Sequence, residues 1–171
     1  MDIILLLIQA FWFIAPAYAA NAFPPLMKGK RPIDRGREIR GNRLLGDGKT
    51  LEGFWGGIIF GVFIGSIQIY GQQFLDLGLA EMTFPIVFML SFGTMAGDLI
   101  GSFIKRRMGM KRGESAPFMD QLGFLLVALL FAAPFHILPA THMLVLFLLT
   151  PILHWLANVV GYLLKIKKHP W

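Results

Sequence analysis

Two acidic residues and several basic residues lie where neighbouring apolar segments end. Asp98, Ser102 and Lys105 are spaced four and three residues apart, which places them close to one face of a helix. Asp120 opens the next apolar segment, and the short connection between the two segments can bring it towards Asp98. Carboxylates bind Mg²⁺ together with phosphate oxygens, while nearby cations neutralise the remaining phosphate charge. The pattern therefore predicts a metal–polyphosphate site.

The same residues also have structural explanations. An acidic residue in the first turn of a helix interacts favourably with the helix dipole, which would account for Asp120. The run Lys105–Arg107 fits an ordinary cluster of basic residues at a membrane boundary. Asp98 is harder to explain in this way, because a carboxylate two turns inside the basic rim is costly unless it is paired.

A glycine-rich segment, Gly46–Gly53 (GDGKTLEG), precedes the second apolar segment. Backbone N–H groups at the start of a helix can bind a phosphate. The segment is not a Walker A motif, because Arg43 stands where that motif needs glycine. This excludes a soluble-type P-loop ATPase.

The positions of these residues depend on apolar segments that are long enough to span a membrane. The chain has 171 residues, of which 56% are hydrophobic, and a mean hydropathy of +0.62. A spanning helix needs about 20 mostly apolar residues. Five segments fit, at about 3–23, 53–72, 83–103, 120–138 and 140–164. The sequence predicts one all-α integral membrane domain over residues 1–171, with five transmembrane helices.

The basic residues define the expected orientation. All 16 Lys and Arg residues lie in loops 24–52 and 104–119 and in the C-terminal tail 165–171. Five spans place these segments on one side, and the positive-inside rule makes that side cytoplasmic, with the N-terminus outside. Topology and anionic lipid explain the pI of about 9.9 better than nucleic acid does. Ala17-Tyr18-Ala19 resembles a signal-peptidase site, but the preceding residues carry Asp2 and no cation, so we expect a retained helix.

Small and polar residues recur along the predicted helices. Glycines every four residues predict close packing between helices, at Gly53, Gly57, Gly61 and Gly65 and at Gly93, Gly97 and Gly101. Gly97 and Gly101 flank Asp98, where they can also leave room for a ligand. His154, Asn158 and Tyr162 share one helix face, which fits either packing or a site. The charge pattern around 34–45 predicts some short helical content.

The motifs together resemble one enzyme family. The stretch 97–124 resembles the signature region of membrane CTP:phosphatidate cytidylyltransferases, which has an Asp followed by Ser, Lys-Arg, then Lys and Pro, and a final Asp. Residues 49–53 (KTLEG) resemble the upstream Lys-Thr-x-Glu-Gly segment of these enzymes. The small size and the start PAYAANAFP are similar to the archaeal branch, the CDP-archaeol synthases. The His-Gly-Gly and Asp-Arg of the bacterial and eukaryotic branches are absent here.

This resemblance implies transfer of CMP from CTP to an isoprenoid glycerol-phosphate lipid, 2,3-bis-geranylgeranyl-glycerol 1-phosphate. The products would be CDP-archaeol and pyrophosphate, formed at the cytoplasmic face of the cell membrane. It implies Mg²⁺ bound by Asp98 and Asp120, with Lys105 also catalytic. The residues implied in substrate binding are Asn42, Arg43, Lys49, Thr50, Glu52, Ser102, Arg106, Lys111 and Arg112.

Two other functions are compatible with a membrane bundle of this size. A CDP-alcohol phosphotransferase needs a DGxxAR motif with further acids, which the chain lacks. A small transporter or assembly protein would use the charges for topology alone. The concentration of acids and cations at one boundary favours the cytidylyltransferase, because transporters usually bind substrate near the membrane midplane.

Overall fold

The computed structural model describes residues 2–166, which form a helical bundle with one small β-hairpin. The predicted basic tail lies outside the described residues from position 167 onwards. The elements in chain order are α1 (Ile3–Ala22), α2 (Pro24–Met27), β1 (Glu38–Ile39), β2 (Asn42–Arg43), α3 (Leu51–Gly71), α4 (Phe84–Arg107), α5 (Met119–Ala132) and α6 (Ala140–Leu163).

Long helices occupy the apolar segments that the sequence indicated. Within the described residues, four helical segments are long and apolar enough to cross a membrane: Ile3–Met27, Leu51–Phe74, Phe84–Arg107 and Ala140–Leu163. The prediction of an all-helical membrane protein is confirmed. Helix α5 has only 14 residues and ends at Ala132, instead of continuing to 138. Pro134 and Pro139 follow it, and proline cannot continue the hydrogen bonding of a helix.

Glycines allow α1, α3 and α4 to pack closely. A Cβ atom on Gly57 would lie 2.8 Å from the carbonyl oxygen of Ala20 in α1 and 2.6 Å from Sδ of Met95 in α4. One turn later, a Cβ on Gly61 would lie 2.7 Å from the carbonyl oxygen of Pro16. The residue numbers of the contacted partners in α1 and α4 fall as the glycine residue numbers rise, so α3 runs antiparallel to both neighbours. This confirms the packing prediction for this glycine stripe.

The second glycine stripe joins α4 to α5. Cβ atoms on Gly93 and Gly97 would lie 2.9 and 2.8 Å from the Cα atoms of Ala128 and Phe124. Gly101 differs, since its nearest neighbour would be Cγ of Met119 at 3.9 Å. The stripe therefore packs tightly towards the middle of α4 and opens near the end of that helix.

The core lies where α1 meets the other long helices. Phe13, Ile14, Leu90, Leu125 and Leu146 are fully buried there. Helix α6 packs against α1 and α5.

Polar groups fasten α6 to the bundle. The hydroxyls of Tyr18 in α1 and Thr150 in α6 are 2.6 Å apart. Asn158 lies 3.4 Å from His154, whose ring contacts Phe124 of α5. Tyr162 is exposed. These contacts favour the packing interpretation of the polar face on α6.

Residues 34–45 do not form the short helix that their charge pattern predicted. They contain the β-hairpin, in which Glu38 pairs with Arg43 and Ile39 with Asn42. Arg40 and Gly41 connect the strands with φ of 54° and 75°. Two consecutive positive φ angles are the geometry of a type I′ hairpin turn. Gly41 adopts that angle without strain, and this local preference outweighs helix propensity.

We expect Gly61→Ala to destabilise the bundle by about 1–3 kcal/mol, because the added methyl meets backbone as well as Ser91 and α1 cannot move away cheaply. Gly71→Ala is the matched control, since a Cβ at that position of the same helix meets nothing within 4 Å. The measurement is thermal unfolding of both variants in detergent. Equal stability of the two variants would contradict the proposed tight packing.

Candidate functional site

A cleft of about 200 Å³ opens where α3 begins, α4 ends and α5 begins. Glycines 46 and 48 of the first loop and glycines 97 and 101 of α4 contribute surfaces without side chains. The charged residues that line it are Lys49, Asp98, Lys105, Arg106, Arg112 and Asp120. Ser102, Met119 and Phe124 complete much of the remaining wall.

Two ion pairs dominate this cleft. The ammonium of Lys49 donates to both oxygens of Asp98, each at 2.6 Å. The ammonium of Lys105 donates to Oδ1 and Oδ2 of Asp120 at 3.0 and 2.8 Å. The exposed side-chain fractions are 25% for Lys49, 31% for Asp98, 12% for Lys105 and 32% for Asp120. The four groups are accessible to a ligand but partly withdrawn from water, so their charges are less screened than on an open surface.

Lys49 reaches Asp98 because the start of α3 is rigidly held. Thr50 is the N-cap of α3, and its hydroxyl accepts from the backbone N–H of Gly53 at 3.1 Å. The residues on either side of the cap pair with an earlier part of the loop: Ile33 donates to the carbonyl of Lys49, and Leu51 donates to the carbonyl of Arg31. These bonds define the direction in which the chain enters α3 and so the position of Lys49.

Asp34 does not line the cleft, but it holds the backbone of the glycine-rich segment that does. Its side chain is completely buried. It accepts hydrogen bonds from the N–H groups of Leu45 and Gly46 at 3.0 and 2.9 Å, and an ion pair of 2.6 Å from Arg43. Burial by itself raises the pKa of Asp34, but the Arg43 guanidinium and these N–H donors, with that of Gly36, hold the pKa well below its usual range. Asp34 is therefore charged at neutral pH and anchors residues 45 and 46.

Arg107 ties the β-hairpin to the end of α4. Its guanidinium donates to the carbonyl oxygens of Ile39 and Arg43, both at 2.7 Å, and of Asn42 at 3.1 Å. It also lies 5.4 Å from the centroid of the Phe103 ring. Because Arg107 is two residues from Lys105, these bonds join the hairpin to the part of α4 that lines the cleft. The first loop is thus part of the cleft wall and not a loose connection.

The comparisons with known proteins agree with this architecture. A CarS-like family model, described as CDP-archaeol synthase, matches residues 3–171. The chain belongs to the CDP-archaeol synthase family. It is 48% identical to the CDP-archaeol synthase of Pyrococcus horikoshii, over 96% of this chain and 97% of the relative. It is 41% identical to that of Methanococcus maripaludis, with full coverage of both chains.

A solved structure supports the same family. It is described as an intramembrane enzyme for archaeal membrane lipids biosynthesis, and it matches with a TM-score of 0.79 at 35% identity, covering 90% of this chain and 94% of its own. The resemblance inferred from the two sequence motifs is therefore confirmed.

The structure brings together seven of the twelve residues that the CDP-archaeol synthase resemblance indicated: Lys49, Asp98, Ser102, Lys105, Arg106, Arg112 and Asp120. The other five lie outside the cleft lining. Asn42 belongs to the hairpin, Arg43 pairs with Asp34 and Asp47, Thr50 caps α3, and Glu52 pairs with Arg31 at 2.6 Å. The backbone of Lys111 contacts Glu114 and Arg106. In these positions they organise the loops around the cleft.

Sequence reasoning missed Asp34 and treated Arg107 only as a boundary cation. Asp34 lies 64 positions before Asp98, among many charges, and nothing local distinguishes it from its exposed neighbours. Arg107 follows two other basic residues in a run typical of a membrane boundary. Their partners lie in distant segments or on backbone atoms, so no motif marks them.

The cleft residues fit a magnesium ion that is shared with a substrate. Among residues 2–166 there is no group of three or more His, Asp and Glu side chains that could hold a metal. Mg²⁺ is usually bound by one or two carboxylates, with substrate phosphates and water supplying the other ligands. Asp98 and Asp120 provide two carboxylates in one cleft, beside cations suited to phosphate. The donor set suits a metal–nucleotide complex better than a permanent metal site.

We expect Asp34→Asn to loosen the first loop, because the change removes the charge that binds Arg43 and weakens the bonds to Leu45 and Gly46. The free energy of local unfolding of the loop should fall by about 1–3 kcal/mol. The measurement is the rate of trypsin cleavage after exposed Arg35 and Arg37 at neutral pH, which should rise several-fold. Because the pKa of Asp34 is lowered, its contribution is complete above about pH 4 and is lost only as the pH falls further. The difference from wild type should therefore stay constant from pH 6 to 9.

Asp47→Asn is the control for that experiment. Asp47 also contacts Arg43 at 2.6 Å, but its side chain is 55% exposed, so its ion pair should contribute little. Equal cleavage rates for Asp34→Asn and wild type would show that Asp34 does not hold the loop.

Proposed function

We propose that this protein transfers CMP from CTP to the phosphate of 2,3-bis-geranylgeranyl-glycerol 1-phosphate, forming CDP-archaeol and pyrophosphate. The observation that carries the proposal is the convergence of two carboxylates and four cationic side chains in one cleft at the end of membrane helices. Membership of the CDP-archaeol synthase family supports the same reaction.

The reaction is a displacement at the α-phosphorus of CTP. An oxygen of the lipid phosphate attacks that phosphorus, the bond from the α-phosphorus to the oxygen bridging it to the β-phosphorus breaks, and pyrophosphate leaves with the electron pair. The attacking group is already an anion, so the step needs neither a general base nor a covalent enzyme intermediate. Two anions must approach each other, so the barrier depends on charge neutralisation and orientation.

The cleft residues suit those two tasks. Asp98 and Asp120 would hold Mg²⁺, which when bound supplies Lewis-acid polarisation of the phosphate oxygens. Lys49, Lys105, Arg106 and Arg112 would bind phosphate oxygens from three directions, since they come from the first loop, α4 and the second loop. Ser102 lies one turn from Asp98 and would donate its hydroxyl to a phosphate oxygen.

The size of the cleft suggests which part of the nucleotide it receives. Small-molecule pockets typically enclose about 300–1,000 Å³, whereas this cleft has about 200 Å³. Its four cationic groups suit phosphates, its two carboxylates suit the metal, and its large non-polar lining residues are Leu45, Met119 and Phe124. We infer that the triphosphate enters the cleft and that cytosine lies over the loops beside it, near the hairpin.

We further propose five membrane crossings, with the N-terminus outside and the cleft in the cytoplasm at the cell membrane. What supports a crossing by the α5 segment is the position of its two ends. Asp120, at its start, lies in the cleft, while His142, just beyond it, contacts Gln9 at 3.1 Å. Gln9 also donates to the carbonyls of Leu77 and Gly78, which lie in the loop after α3, at the opposite end of that helix from the cleft. The basic loops all lie at the cleft end, in accord with the positive-inside rule.

We expect Asp98→Asn and Asp120→Asn each to reduce CDP-lipid formation by about 10²-fold or more, because each removes a carboxylate that the metal–triphosphate complex needs. The assay is formation of CDP-lipid and pyrophosphate by purified protein in detergent with CTP, Mg²⁺ and geranylgeranyl-glycerol phosphate. Asp76→Asn, which neutralises an exposed acid in the loop after α3, is the matched control and should retain full activity.

The outcomes of this assay are distinct. Near-normal product formation by a carboxylate variant would remove that residue from the metal site while leaving the reaction assigned. No product from folded wild-type protein, with phosphatidic acid also offered as acceptor, would contradict the proposed reaction and favour a transporter or assembly role.

The orientation can be tested with single cysteines, because the chain has none of its own. We expect a membrane-impermeant maleimide to label Asp76→Cys and Thr141→Cys in intact cells, and to label Lys30→Cys only after permeabilisation. All three positions are exposed. Labelling of Thr141→Cys only after permeabilisation would show that the α5 segment does not cross the membrane.

A further inference from the structure

Lys49 and Lys105 form ion pairs with the two carboxylates that would bind the metal. Lys49 contacts both oxygens of Asp98, and Lys105 contacts both oxygens of Asp120. Oδ2 of Asp120 accepts a further bond from the N–H of Ala116 at 2.9 Å. All four carboxylate oxygens are thus engaged. A metal ion that uses either carboxylate must displace an ammonium from it, because two cations sharing the same oxygens repel each other.

The total charge of the cleft indicates which ligand can displace the two lysine ammonium groups from the carboxylates. Four basic and two acidic side chains line it, which amounts to a formal charge of +2. Free Mg²⁺ would raise that charge and leave both ammonium groups without an anion. A free nucleoside triphosphate, with a charge of about −4, would face two carboxylates among the cations. The magnesium complex of the triphosphate carries about −2 and complements the cleft.

Only the magnesium–triphosphate complex leaves every charged side chain of the cleft with a partner of opposite charge. When carboxylates pass from lysine to metal, the released ammonium groups find phosphate oxygens within the same cleft. A lysine can make this exchange because its charge sits at the end of a flexible four-carbon chain. Arg106 and Arg112 provide further phosphate contacts and have no carboxylate partner among the ion pairs of the described residues.

We propose that Lys49 and Lys105 are specificity-determining residues that make the cleft select the metal–nucleotide complex over either component alone. This inference rests on the proposed function and goes beyond it. It assigns to the lysines a second task, exclusion of the free metal ion, in addition to binding phosphate.

The test is calorimetric titration of the full-length protein in detergent, without any lipid acceptor, so that no turnover occurs. The three titrations use MgCl₂ alone, CTP with EDTA, and CTP in excess MgCl₂. We expect Mg²⁺ alone to bind wild-type protein at least tenfold more weakly than it binds in the presence of saturating CTP. Equal affinity for Mg²⁺ with and without CTP would overturn the proposal.

Variants separate a selective role from a structural one. In Lys49→Met and Lys105→Met, we expect Mg²⁺ alone to bind at least tenfold more tightly than it binds wild type, while affinity for the CTP complex falls. Lys49→Arg and Lys105→Arg keep the cation and should still exclude free Mg²⁺. Lys30→Met removes an exposed positive charge of the same loop and should change neither affinity. Unchanged affinity for free Mg²⁺ in folded methionine variants would overturn the proposal.

Failure of this inference is distinguishable from failure of the proposed function. Tight binding of free Mg²⁺ by a protein that still forms CDP-lipid would refute the selectivity alone. If wild-type protein that stays folded in size-exclusion chromatography binds no CTP even with Mg²⁺, both proposals fail.

Discussion

Charge at the end of a membrane bundle must be paired, and this constraint shapes the cleft. Asp98 and Asp120 lie at the ends of apolar helices, where an isolated carboxylate would be costly. Each is neutralised by a lysine from a different element: Lys49 precedes α3, whereas Lys105 belongs to α4. The two pairs therefore join α3, α4 and α5 at one end of the bundle. The same carboxylates and cations line the cleft for which we propose a metal–triphosphate complex.

The pairs can form only because the helices approach closely. Glycines on α3 and α4 let α1, α3, α4 and α5 pack almost backbone to backbone. Towards the cleft this packing relaxes, since Gly101 has no neighbour closer than Met119. The glycine stripe therefore does two things along one helix: it holds the bundle together near its middle and leaves space for a ligand at its end.

The first loop contributes as much to the cleft as the helices do. It has little regular structure, yet two buried or partly buried charges hold it in place: Asp34 binds its backbone from within, and Arg107 binds its hairpin from α4. Long loops are tolerated in small domains when they carry function and are packed by their own contacts. This loop fits that description, because its residues Leu45, Gly46, Gly48 and Lys49 form one wall of the cleft.

The positions of four long apolar helices followed from the sequence, since runs of about 20 apolar residues have few stable alternatives in a membrane. The fifth predicted span is shorter than expected, because α5 ends at Ala132. Asp98, Asp120 and Lys105 were also predicted from the sequence, because acids beside apolar segments are rare enough to stand out. Lys49 was predicted from the glycine-rich segment that precedes α3. The reaction was inferred from the resemblance to the enzyme family, and not from the individual residues. The β-hairpin was missed, since its turn depends on the φ angles of Arg40 and Gly41 more than on charge pattern.

The sequence by itself determined that this is a helical membrane protein with acids and cations gathered at one boundary, because hydrophobicity and charge are local properties of the chain. Only the tertiary structure decided which lysine pairs with which aspartate, which of the predicted residues line the cleft, and that Asp34 and Arg107 hold the loop against α4. Those contacts join segments that are 9 to 68 positions apart or involve backbone carbonyls. Their geometry depends on how closely the glycine-bearing helices pack, which no single segment specifies.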